Sequence, residues 1–151
     1  MQYEDFLDTP LGSIRIEANQ DAITGIHFAR EKGQSKSNKW VRKAKQQLND
    51  YFESHRQAFD LPLQPQGTDF QLKVWESLRN VPFGQTISYG GLAERIGRQN
   101  AARAVGMANN RNPISIIIPC HRVIGSNGDL IGYGGGTWRK EWLLKHEGVL
   151  I

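Results

Sequence analysis

The sequence predicts an α+β protein in two parts: a small N-terminal antiparallel-sheet domain over residues 1–66 and a mainly helical domain over residues 67–151. Three observations predict it. Residues 3–29 fall into three short runs with partial apolar alternation, YEDFLDT, GSIRIEA and AITGIHFA, separated by Gly, Pro and Asn-Gln-Asp breaks, which is the pattern of short paired strands. From residue 68 onward the apolar spacing becomes three and four, the period of a helix face. Charge divides at the same place: residues 1–66 hold nine Lys/Arg and nine Asp/Glu, whereas residues 67–151 hold ten and six and carry the whole net charge of +4.

In the first part, the polar stretch REKGQSKSN leads into Val41, Ala44, Leu48 and Phe52, spaced as one face of a helix. FDLPLQPQG, rich in Pro and Gln, reads as a final edge strand and a linker. His27 and His55 stand alone with no cysteine in this part, so no metal is expected. The second part opens on Thr68-Asp69-Phe70-Gln71, a Thr-x-x-Gln capping box, ahead of Phe70, Val74 and Leu78 on one helical face with Trp75 beside it. NVPFGQ then turns the chain. Ser88 is placed to cap a second helix, YGGLAERIG, and Asn100 a third, AARAVGMANN. Two short helices joined by a tight turn resemble a helix-turn-helix. Asn112-Pro113 ends the third helix, and ISIII reads as a fully buried strand or extended segment.

A chain of 151 residues can build a core without disulfide support, and its single cysteine forms no internal bridge. MQYEDFLDTPLGSIRIEA is acidic where a signal peptide is basic and apolar, and no run of 18 apolar residues occurs. A cytoplasmic protein of a reducing compartment, away from membranes, is therefore expected. Between Arg95 and Arg122 lie five arginines, Arg95, Arg98, Arg103, Arg111 and Arg122, and no carboxylate. That stretch suits a polyanion such as nucleic acid, although an ordinary solvated basic surface has the same composition. Ala101, Ala102, Ala104, Gly106 and Ala108 leave the third helix few side chains for reading base edges. Such a helix either approaches a nucleic-acid backbone closely, with Arg103 as the one long side chain able to enter a minor groove, or serves tight helix packing.

Pro119 holds Ile118 extended and sets Cys120 at the end of a rigid element. A free thiol ionises near pH 8.5, so a reactive one needs a base, a positive charge or a helix N-terminus. His121 is adjacent, but in an extended chain neighbouring side chains point to opposite faces, so a bridging water would have to connect them. The far ring nitrogen would then need an acceptor, for which Glu147 in KHEG is the natural type. Taken alone, a buried inert thiol is the commoner outcome for a lone cysteine.

The run RAVGMANNRNPISIIIPCHRVIGSNGDLIGYGGGTWRKEWLLKHEG, preceded by FQLKVWESLRNVPFGQTISYGGLAERIG, resembles the active-site region of the O6-alkylguanine-DNA alkyltransferases, over roughly residues 68–148. The resemblance implies direct-reversal DNA repair in which Cys120 takes the alkyl group from guanine O6 as a stable thioether, once per molecule and without a cofactor. It assigns His121 as the water-mediated base, Glu147 as the carboxylate that orients it, and Asn112 as the brace of the turn between the DNA-binding helix and the active site. Tyr89 matches the tyrosine that acts on the phosphate beside the lesion and, by residue type, is a candidate proton donor to the departing guanine. Arg103 matches the finger that fills the gap left by the flipped nucleotide, on a helix whose Ala102 and Gly106 belong to the DNA-binding face. Val123 and Tyr133 match pocket residues, and Gly134 a backbone N–H facing O6. The implied partner is double-stranded DNA containing O6-alkylguanine, bound mainly without sequence specificity in the minor groove by a monomer with scope for cooperativity. O4-alkylthymine is a candidate second substrate.

Relatives with a zinc site or a fused cysteine-rich domain carry residues and length that this chain does not have. Gly134 stands where several relatives have serine or alanine, and Ser115 where some have proline, which implies a roomier pocket. The main alternative is an alkyltransferase-like protein that binds the lesion without transfer. Such proteins lack the acceptor cysteine, which is present here. A Cys-His hydrolase would leave Arg103 in a small-residue helix without a purpose.

Overall fold

A computed structural model describes residues 2–130 and 132–149. In chain order the elements are β1 (Tyr3–Thr9), β2 (Gly12–Ala18), β3 (Ile23–Ala29), α1 (Lys39–Phe52), α2 (Asp69–Leu78), β4 (Ile87–Ser88), α3 (Tyr89–Arg95), α4 (Ala102–Asn110), a 3-10 turn (Cys120–Arg122), β5 (Val123–Ile124) and α5 (Thr137–His146). The chain divides into one unit of Met1–Gln66 with Pro113–Ser115 and another of Gly67–Asn112 with Ile116–Ile151.

In the first unit the three strands pair antiparallel in sequential order, with Leu7 opposite Ile14 and Ile14 opposite Phe28. β2 buries Ile14, Ile16 and Ala18 in strict alternation, and a bulge at Glu17/Ala18 shifts the pairing with β3. α1 covers the sheet with Val41, Ala44, Leu48 and Tyr51. Tyr51, not the expected Phe52, completes the buried face. Asn38 caps this helix by accepting from the Val41 N–H at 3.0 Å. The expected edge strand in FDLPLQPQG is reduced to a single bridge between Leu63 and Ile23, because Pro62 and Pro65 have no N–H with which to continue a ladder. Gln47 holds that segment from below, donating to the Asp60 carbonyl and accepting from its N–H. Ile114 likewise makes only one bridge, to Ile26.

In the second unit the Thr68–Gln71 capping box is present in both directions, at 3.1 and 2.9 Å, and α2 buries Val74, Trp75 and Leu78. Ser88 caps α3 through the Gly91 N–H. α4 differs from expectation: its cap is Ala101, with no side-chain bond, because the Arg98–Ala101 turn places Asn100 too early. Residues 116–118 are buried but are not a strand. Ile116 adopts φ +73°, an uncommon conformation for a β-branched residue, and turns the chain where a ladder was expected. β4 and β5 pair in parallel, Ile87 with Val123 and Ser88 with Ile124, which brings the start of α3 beside the end of the Cys120 turn.

Candidate active site

Cys120 opens a 3-10 turn and is not part of an extended chain. Side chains in such a turn are spaced about a third of a revolution apart, so opposition of neighbours across a strand does not apply. His121 and Arg122 both reach Glu147, the residue that ends α5. His121 Nε2 lies 2.8 Å from Glu147 Oε2, while Arg122 donates from Nε to Oε1 at 2.8 Å and from Nη2 to Oε2 at 3.0 Å. The remaining guanidinium arm donates from Nη1 to the Val81 carbonyl at 2.6 Å. A helix C-terminus disfavours a carboxylate, and this forked ion pair offsets that penalty.

The electrostatics settle the histidine tautomer. Burial works against the Glu147 charge, but His121 and Arg122 outweigh it and hold the carboxyl well below the usual range. An ionised carboxylate only accepts, so Nε2 carries the hydrogen. Burial also lowers the His121 pKa, with Arg122 and Lys140 acting in the same direction and Glu147 against them. The ring is therefore neutral, with Nδ1 as its basic atom. Nδ1 is buried and has no hydrogen-bond partner among the described residues.

Burial pushes the Cys120 thiol up to about 11, against a hydrogen bond from Asn112 and the charge of Lys140. Asn112 Nδ2 also donates to the Ile118 carbonyl at 2.7 Å, and Asn109 Nδ2 to the Cys120 carbonyl at 3.2 Å. Lys140 is wholly buried; desolvation brings its ammonium down to about 8, and Nζ lies 5.9 Å from the centre of the Tyr89 ring. Burial raises the Tyr89 pKa, so the phenol keeps its proton.

Cys120, His121, Glu147 and Asn112 thus come together, with Tyr89 in electrostatic reach of the thiol. Gly106 faces the Tyr89 ring, where a Cβ would stand 3.5 Å from Cδ1. Val123 is buried in β5, Tyr133 is half-buried, and Gly134 is exposed. On α4, Arg103, Ala104, Met107 and Asn110 are exposed and Ala102 is half-buried; no hydrogen bond joins Arg103 to the thiol cluster. No group of three or more metal-ligating side chains occurs among the described residues.

Three residues were missed by sequence reasoning. Arg122 was counted with the surface arginines, yet it is buried and paired. Lys140 stands seven residues before Glu147, two helical turns on one face, a spacing that could have flagged it. Asn109 had no local signal.

Residues 69–149 match the 6-O-methylguanine DNA methyltransferase, DNA binding domain, and residues 2–65 its ribonuclease-like domain. A Methanosarcina acetivorans methylated-DNA–protein-cysteine methyltransferase is 44% identical, covering 97% of this chain and 98% of its own. The crystal structure of Mycobacterium tuberculosis OGT in complex with DNA superposes with a TM-score of 0.87 at 43% identity, covering 94% of this chain and 90% of that one. S. pombe Atl1 in complex with damaged DNA containing O6-carboxymethylguanine gives a TM-score of 0.51 at 32% identity, covering 57% of this chain and 82% of that one.

Proposed function

The chain belongs to the 6-O-methylguanine DNA methyltransferase family, and from that premise we propose that it repairs O6-alkylguanine in DNA by moving the alkyl group onto Cys120. The observation that carries this reading is the buried series Arg122, Glu147, His121, which ends in a free basic nitrogen one residue from a thiol that does not ionise by itself. His121 Nδ1 takes the thiol proton through a bridging water, and Glu147 stabilises the imidazolium that forms. The sulfur attacks the alkyl carbon, the C–O6 bond breaks, and its electron pair stays on the base. The proton lost from sulfur is returned, in net terms, to guanine, with Tyr89 as the donor nearest to hand. The step balances without a cofactor and ends in a thioether, so each molecule acts once. Asn112 keeps the turn before Cys120 in place through the Ile118 carbonyl.

The reacting carbon lies inside the duplex, so the nucleotide must leave the stack at a cost of a few kcal/mol. α4 is well composed for such an extrusion. Its exposed face offers Arg103 to fill the gap and otherwise mostly small side chains, including Ala104 and, half-buried, Ala102 and Gly106. Binding is to the minor groove without sequence readout. Val123, Tyr133 and the Gly134 N–H line the pocket for the extruded base. No helix among the described residues is long and apolar enough to cross a membrane, and the protein works in the cytoplasm as a monomer.

Mass spectrometry after mixing with excess duplex carrying one O6-methylguanine tests the reading. One CH2 gain, confined to the Cys120 peptide and never repeated, is expected. Tight lesion binding with an unmodified thiol would instead make the chain a recognition protein.

A further inference from the structure

Asn109 stands one residue before the end of α4, and its buried amide is only half used. Nδ2 donates to the Cys120 carbonyl at 3.2 Å. A carbonyl only accepts, so this bond fixes which end of the amide is which. Oδ1 is therefore directed elsewhere; it is buried and has no donor among the described residues. A buried acceptor in that state has lost its hydration with nothing in return.

Its surroundings point to a ligand. The last turn of α4 borders the reacting group on several sides: a Cβ on Gly132 would come within 2.8 Å of the Tyr89 hydroxyl and 3.7 Å of the Asn110 amide, and one on Gly134 within 3.5 Å of the Asn110 carbonyl. The Cys120 carbonyl, Tyr89 and the 132–134 loop thus converge where Asn109 lies. A base brought to Cys120 by its O6 substituent enters this corner. Alkylation at O6 removes the hydrogen from guanine N1, which leaves the 2-amino group as the only N–H donor on the base. O4-alkylthymine has no N–H donor at all.

We propose that Asn109 is a specificity-determining residue, whose Oδ1 accepts a hydrogen bond from the 2-amino group of O6-alkylguanine. The inference rests on Cys120 being the alkyl acceptor. It makes the pocket a purine reader, since an acceptor left unpaired by the wrong base counts against that base.

The test is a cycle of two substrates and three proteins. Single-turnover alkylation of Cys120 is followed with duplexes carrying O6-methylguanine or O6-methylhypoxanthine, which lacks only the 2-amino group. The unsubstituted chain, Asn109→Leu and Asn109→Met are compared, two variants guarding against one that fails to fold. The unsubstituted chain should react about tenfold more slowly with the hypoxanthine lesion, and the variants should shrink that ratio to roughly threefold or less. An undiminished ratio in a folded variant, or no preference in the unsubstituted chain, overturns the proposal. No alkylation of Cys120 by O6-methylguanine in the unsubstituted chain would instead sink the reading on which it rests.

Discussion

The two units treat charge in opposite ways. In the first, ion pairs lie in solvent: Lys32 and Asp8 are 54% and 71% exposed, Lys45 and Asp5 39% and 21%. In the second, His121 and Glu147 are fully covered, Arg122 is 8% exposed, and Lys140 is buried two turns before Glu147. Exposed pairs add about 0–1 kcal/mol. Buried charges cost more than they return unless every partner is present, so four ionisable groups gathered around one thiol mark chemistry and not stability.

The largest test of this contrast is Glu147→Gln, which leaves Arg122 buried without its carboxylate. It should cost about 3–5 kcal/mol and abolish transfer, whereas Lys45→Met, which breaks the Asp5 pair, should cost less than about 1 kcal/mol. Urea unfolding of both variants decides; comparable losses would erase the distinction. Acid should separate the units next. The folded pKa of His121 lies below its ordinary value of 6.5, so its contribution to stability is complete above that pH and is lost as pH falls through the folded value. Glu147, also depressed, adds the same sign at lower pH, while Asp5 in the first unit enters only below about 4. Hydrogen exchange at pH 7 and 5.5 should therefore show amides of the second unit losing protection first.

A smaller effect concerns the pocket. A Cβ at residue 134 would meet the Asn110 carbonyl at an ordinary 3.5 Å, so Gly134→Ser should fold with a change within about 0.5 kcal/mol. If the glycine keeps the pocket open, benzyl transfer will slow roughly tenfold more than methyl transfer; equal slowing would remove Gly134 as the reason for its size. The smallest difference between the units should be in their helix caps. Asn38→Ala and Thr68→Ala remove one side-chain cap each and should each cost about 1 kcal/mol, because capping is local and indifferent to what the unit does. Thermal melts would show it.

What was legible in the sequence follows the same division between local and distant. The Thr68–Gln71 box and the Ser88 cap are bonds between residues three apart, and both are where the spacing puts them. The ISIII run was read correctly as buried and wrongly as extended, since apolar runs report burial and the left-handed turn at Ile116 leaves no mark on them. Arg122 shows the limit most clearly. Its partners, Val81 and Glu147, lie 41 and 25 residues away, so composition alone counted it as surface charge.

The depth of Cys120 has one more consequence, for how long the molecule keeps. With the thiol pushed up to about 11, only about one in ten thousand is ionised at pH 7. Peroxide, disulfides and stray electrophiles all react with the thiolate and need access to it, so a sulfur that is covered and protonated ages slowly. A protein that uses its nucleophile once has no means of replacing it, and the same burial that makes the group a poor reagent in isolation preserves it until a base stands in the pocket.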